Sequence, residues 1–220
     1  MLSIKVILIG DGGVGKTCLI QQYTSKEFIE EHIVTMSAGD KSFKEVKVGE
    51  KKVKLEIWDT VGQEKFRSVN KIYMNQAKIA LMVYDMTDQK SFNNLQNWYN
   101  ELKDKNDSVE IIGVIANKSD LYEESVINKE EGENYAKSID ATFYETCAMD
   151  YESVSIAFEG LTKEYVEKKD KEEKKRKEEE SKKTEEERKK KEEEDRKREE
   201  EEQKKKNLKL QNIKTIKTKI

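Results

Sequence analysis

The 220-residue chain is long enough for one ordinary domain and something more, yet 40% of its residues are charged, more than a single compact globule carries. The charge is unevenly placed: residues 1–162 hold 19 basic and 27 acidic side chains and residues 163–220 hold 24 and 19, charges of −8 and +5 within a net −3. A mildly acidic body excludes nucleic-acid binding by bulk charge, and two distant cysteines, Cys18 and Cys147, without metal-ligating neighbours, exclude a disulfide framework or zinc site and suit a reducing cytosol.

The opening "MLSIKVILIG" is apolar, but the run is short, is broken by Lys5 and leads straight into glycines. It therefore reads as a strand buried on both faces rather than a signal peptide, and no later run is long enough to cross a membrane. "GDGGVGKTCL" follows, with the spacing Gly, four residues, Gly-Lys-Thr of a phosphate-cradling loop between a strand and a helix, here "KTCLIQQYTS". Backbone N–H groups around Gly12, Gly13 and Gly15 would face phosphates without Cβ obstruction, Lys16 would span the outer phosphates, and the Thr17 hydroxyl would bind Mg²⁺. "SFKEVKVGEKKVKLEIW" alternates either side of Val48 to Lys51, which predicts a hairpin ending at Trp58. Asp59 then stands at the end of an apolar strand, where a carboxylate can hold Mg²⁺ through water, with Gly62 and Gln63 just beyond.

"IALMVYD" and "IIGVIANKSD" read as further strands, separated by the helical pattern "SFNNLQNWYNELK". "NKSD", Asn117 to Asp120, offers base recognition: the Asp120 carboxylate can accept from both N1–H and the exocyclic amine of guanine, whereas adenine has no donor at N1 and would leave a charge unpaired. "ATFYETCA" is a last short strand whose Ala148 N–H would meet guanine O6. "SVSIAFEGLTKEYV" is an amphipathic helix. Strands alternating with helices predict a mostly parallel sheet covered on both faces, with ligands at the carboxyl ends of its strands.

Beyond Val166 no apolar residue occurs until Leu208. Blocks of Glu alternate with Lys and Arg so that i, i+4 pairs recur, such as Glu172 with Arg176 and Glu186 with Lys190; such pairs contribute roughly 0.2–0.5 kcal/mol each. The composition reads as a single solvated helix about 60 Å long at about 1.5 Å per residue, or as a disordered extension. A coiled coil is discounted because no apolar a and d positions exist. The end, "NLKLQNIKTIKTKI", has only basic charges and could place Leu210, Ile213, Ile216 and Ile220 on one face, either as a weak anionic-membrane or partner contact or as a frayed terminus. The expected organisation is a body over 1–165, the charged segment over 166–206 and a basic tail over 207–220.

The four motifs in this order resemble the Ras superfamily of small GTPases, and "GDGGVGKT", "WDTVGQEKFRS", "VYDMTDQKSFNNLQNWYNEL", "NKSD" and "ETCA" are most similar to its Rab group, from Lys5 to about Val166. The resemblance implies a P-loop α/β fold of six mostly parallel strands and five helices; it is the composition of the charged segment that extends the last helix beyond it. It implies GTP and GDP as ligands, Mg²⁺ as cofactor, slow hydrolysis of GTP, and a switch in vesicle traffic. It also implies exchange factors, activating proteins and effectors as partners, and a cytoplasmic protein peripheral on endosomal or vesicle membranes. By the same resemblance Thr35 would coordinate Mg²⁺ and meet the terminal phosphate, Gly62 would donate to that phosphate, Gln63 would orient the attacking water and Phe28 would pack on the base. Lys118 would lie along the nucleotide ring, and Val14, Cys18, Asn117 and Cys147 complete the nucleotide contacts.

This sequence also departs from the Rab pattern. His32 stands where many relatives carry Tyr and reads as a nucleotide lid. "TMSAGDKSF" is an irregular junction with Lys41 or Phe43 at an aromatic effector position, although Trp58 and Tyr73 keep the other two aromatics. Val61, Cys147 and Met149 replace the common Ala, Ser and Lys, and neither cysteine lies in the tail, where Rab proteins are usually prenylated. A nucleotide-gated scaffold that binds GTP but scarcely cycles is the alternative function, with the charged segment as its arm.

Overall fold

The computed structural model describes residues 2–27, 40–60, 74–105 and 108–217. Six strands form one sheet: β1 (Leu2–Ile9), β2 (Lys41–Val48), β3 (Lys51–Trp58), β4 (Ile79–Asp85), β5 (Ile111–Asn117) and β6 (Thr142–Thr146). Their order is β2-β3-β1-β4-β5-β6, with β2 antiparallel to β3 and every other neighbouring pair parallel. The helices are α1 (Lys16–Ser25), α2 (Gln89–Asn93), α3 (Leu95–Lys105), α4 (Lys129–Ser138) and α5 (Tyr151–Lys217). This is the P-loop GTPase-like α/β fold expected from the motifs, with a long last helix.

The central strands are apolar on both sides because both sides are covered. Along β1 the period-two alternation sends Ile4, Val6 and Leu8 into a core with Leu19 and Tyr23 of α1 and Val154, Phe158 and Leu161 of α5. Ile7 and Ile9 enter the opposite core with Trp98 and Leu102 of α3 and Ala136 of α4. Tyr23 stacks on Phe158 with ring centroids 4.3 Å apart, and truncating either ring would cost about 3–5 kcal/mol. The β2–β3 hairpin turns at Gly49, whose φ of 58° suits a residue without Cβ, and pairs Val48 with Lys51 and Lys41 with Trp58. Trp58 therefore has Lys41 directly opposite it, while Phe43 faces Glu56 and is 49% exposed.

The helical pattern before β5 is divided. Asp88 caps α2 by accepting from the Lys90 N–H, and Asn94 separates α2 from α3. Helix α4, rich in charge, begins with a reciprocal capping box in which Asn128 and Glu131 bond each other's backbone N–H.

The chain divides into two compact units, Met1–Lys168 and Lys169–Ile220. The second is helical to Lys217. Its ion pairs lie along the helix, with Glu173 to Lys177 at 2.6 Å, Glu185 to Lys189 at 3.4 Å, and Arg188 to Glu185 and Glu192 at 3.0 and 3.5 Å. These side chains are solvent-exposed, so they support helix geometry more than they stabilise a fold. Among the described residues no helix is long and apolar enough to cross a membrane.

Candidate functional site

The ends of β1, β3, β4, β5 and β6 bring the sequence motifs to one edge of the sheet. After β1 the chain turns through Gly10, Gly13 and Gly15 with φ of 147°, 81° and 96°. A Cβ at Gly10 would collide with the Val83 carbonyl oxygen, and one at Gly15 with the Asn117 amide nitrogen, so both close approaches require glycine. Gly15 caps α1 without a side-chain hydrogen bond, and no acidic residue stands in the first turn of that helix. The positive end of α1 therefore carries no acidic side chain in its first turn to offset it.

Lys16, only 5% exposed, donates from Nζ to the carbonyls of Gly10 at 2.9 Å and Asp11 at 2.7 Å. Burial lowers its pKa to about 8, against the opposing pull of Asp59 and Asp11. Beside it the Thr17 hydroxyl donates to Asp59 Oδ2 at 2.6 Å. Asp59 is buried, and among the described residues no hydrogen bond of ordinary geometry reaches its Oδ1. Burial raises its pKa, with the Thr17 bond and Lys16 acting in the other direction. A buried carboxylate oxygen left unmatched among the described residues, next to a hydroxyl, is a pair of hard oxygen donors of the kind that fits Mg²⁺.

Asn117 is the last residue of β5. Its Nδ2 donates to the Val14 carbonyl at 2.8 Å, and its Oδ1 accepts from the Thr146 hydroxyl at 3.1 Å. One buried amide therefore joins the phosphate loop, β5 and β6. Lys118 follows in the left-handed conformation, φ 66°, and pairs with Asp85 Oδ2 at 2.5 Å. Asp85 Oδ1 accepts from both the N–H and the hydroxyl of Thr87 at 2.8 Å. Asp120 lies exposed in a short 3-10 segment, Ser119–Glu124. Burial first, then the nearby Asp120 carboxylate, raises the Cys147 pKa. Burial also raises the Cys18 pKa, with the Asp59 charge adding to the rise and the Lys118 charge opposing it.

The base loop is held from two sides. Gln22 of α1 donates to the Met149 carbonyl at 2.9 Å, and the Cys147 N–H donates to the Ser153 hydroxyl at 3.1 Å at the start of α5. Ala148, in the same loop, is buried. Val14 through Cys18, Asp59, Asn117, Lys118, Asp120, Cys147 and Ala148 thus gather on one edge, with Gly12 and Gly13 exposed on its loop. Phe28, His32, Thr35, Val61, Gly62, Gln63 and Tyr73 lie outside the described residues. The sequence reading missed Asp85, Thr146 and Gln22. Thr146 lay inside the quoted "ETCA", but its link to Asn117 crosses 29 residues and has no local signature.

The Ras family model matches residues 5–167, and the chain belongs to that family. The chain is 37% identical over 170 residues to the Ras-related protein Rab-26 of Rattus norvegicus, a match covering 77% of this chain and 66% of that one. The Rab-26 of Mus musculus is 36% identical over 170 residues, covering 77% and 65%. The match spans just under two thirds of the length of these relatives.

Proposed function

We propose that this chain is a Rab-like switch that binds GTP and GDP with Mg²⁺ and slowly hydrolyses GTP to GDP and phosphate in membrane traffic. The observation that carries the reading is the Asn117 amide, which ties the base motif to the phosphate loop at 2.8 Å and so sets the two ends of one nucleotide site in a single frame. Asp120 accepts from the guanine edge. Lys118 lies along the ring, anchored by Asp85, with Phe28 on the base and the Ala148 N–H at its oxygen. Gly12, Gly13, Gly15 and the first turn of α1 direct N–H groups at the phosphates, and Lys16 supplies a cation there.

Thr17, Asp59 and Thr35 would hold Mg²⁺, which when bound neutralises charge on the outer phosphates. Gly62 donates to the terminal phosphate and Gln63 orients the water. A partner that supplies an arginine would raise the rate by about 10³ to 10⁵. Exchange factors and activating proteins complete the cycle. Effectors read a surface that includes Trp58, beside which Lys41 lies 5.0 Å from the Trp58 ring and 5.1 Å from that of Phe43, with Tyr73 assigned to it from the sequence motif alone. The basic tail contacts an anionic membrane, which makes the protein peripheral on vesicles.

Single-turnover hydrolysis of GTP tests the assignment. Gln63→Leu is expected to hold the partner-stimulated rate near the intrinsic one while GTP affinity stays within about twofold. Stimulated hydrolysis at the wild-type rate in Gln63→Leu would remove Gln63 from the chemistry, and GTP binding without any turnover would favour the scaffold reading.

A further inference from the structure

The phosphate loop is gripped from outside the nucleotide-binding motifs. Asp11, the second residue of that loop, accepts from Trp98 Nε1 at Oδ1, 2.8 Å away, and from Asn94 Nδ2 at Oδ2, 2.6 Å away. Positions 94 and 98 are one helical turn apart, so both donors project from the same face of α3 and its leading residue. The far end of this grip is rigid. Trp98 is 1% exposed in the core under β4, and Asn94 is fixed by its own N–H to Lys90 and by its carbonyl, which accepts from the N–H groups of Asn97 and Trp98.

The near end bears on the chemistry. The Asp11 backbone carbonyl is one of the two that hold the Lys16 ammonium. Gly10 just before Asp11 and Gly13 two residues after it adopt positive φ and have wide backbone freedom, so their own conformational preferences do not fix the path between them. Asp11 is where that path is set by a side chain. Its two donors give one bond per carboxylate oxygen, and hydrogen bonds to an ionised acceptor are stronger than neutral ones.

We propose that Asp11, clamped by Asn94 and Trp98, is a positioning residue that orients the phosphate loop and Lys16 for nucleotide retention, so that the docking of α3 sets the rate of nucleotide release. The proposal rests on the guanine-nucleotide reading and adds to it a control point that touches neither base nor metal. A partner that shifted α3 would loosen the nucleotide without entering its site.

The test is release of a fluorescent GDP analogue from the full chain in Mg²⁺. Asn94→Asp sets a second carboxylate against Asp11 and is expected to speed release by about tenfold or more, and Trp98→Phe, which removes one donor and keeps the packed ring, by about three- to tenfold. The exchange Asp11→Asn with Asn94→Asp keeps all three partners matched, because the new amide at 11 can donate to the new carboxylate at 94 while still accepting from Trp98. It should return release to within about threefold of wild type, a coupling that independent sites would not show.

A second readout does not depend on nucleotide. The indole N–H resonance of Trp98, identified by its loss in Trp98→Phe, should move in Asp11→Ala; an unmoved resonance in folded protein contradicts the clamp. Wild-type release rates in both Asn94→Asp and Trp98→Phe, or an exchange variant as fast as Asn94→Asp alone, would overturn the proposal while leaving the nucleotide reading intact. A wild-type chain that retains no GDP would sink that reading and this proposal with it.

Discussion

Asn117 is the residue whose loss should separate the frame of the site from its ligand. Asn117→Ala leaves the buried Val14 carbonyl without its donor and the Thr146 hydroxyl without its acceptor. At roughly 1–3 kcal/mol for each buried group left unmatched, the fold should lose about 3 kcal/mol. For a domain of this size that is a fall in Tm of roughly 6–12 °C. Thr146→Val removes only the hydroxyl bond and should cost about 1 kcal/mol, or roughly 2–4 °C. Thermal unfolding must be followed on protein stripped of nucleotide with a chelator, because bound ligand adds its own stabilisation. If both variants melt with the wild type in the stripped state, Asn117 is not a strut between β5, β6 and the phosphate loop, and the single-frame argument fails.

Two further outcomes follow from the buried charges. Asp59 has a raised pKa through burial, so its ionised form costs the folded state stability above that value, a cost relieved as pH falls through it. Asp59→Asn should therefore melt no lower than wild type at pH 7 when stripped, yet lose most of the Mg²⁺-dependent slowing of GDP release; destabilised stripped protein would contradict the account. Lys16 titrates at about 8, and phosphate beside it would raise that value. Binding strength should be fully present below about pH 8 and decline above it, with proton uptake on GDP binding of roughly half a proton or more at about pH 8.5. Calorimetry in buffers of different ionisation enthalpy measures this, and zero uptake would mean that Lys16 does not meet the phosphates.

The parts of the fold with strong periodicity were legible in the sequence. The apolar run of β1, the hairpin ending at Trp58, the buried β4 and β5, and the amphipathic start of α5 each announce themselves over a few residues. Helix α4 was not read, because "KEEGENYAKS" has little apolar pattern; its signal was the capping pair Asn128 and Glu131. The break between α2 and α3 escaped notice for a related reason, since Asn94 sits inside an unbroken helical periodicity. Within the site, the motif residues were legible by spacing. Their supports were not: Asp85 under Lys118, Thr146 under Asn117, and Asn94 and Trp98 under Asp11 join residues 29 to 87 positions apart. Choosing between Lys41 and Phe43 opposite Trp58 also needed the strand register, because the two lie on one face of β2 and only the pairing sets Lys41 against Trp58 and Phe43 against Glu56.

The central claim is that one site reads a guanine base and holds its phosphates. It is tested most directly by displacement of a fluorescent GDP analogue from the full chain with unlabelled GDP, GTP, ADP and ATP in Mg²⁺. The account predicts that GDP and GTP displace it at stoichiometric concentration while ADP and ATP fail by a factor of about 10⁴ or more, because adenine leaves the Asp120 carboxylate unmatched. Equal displacement by adenine and guanine nucleotides would contradict it.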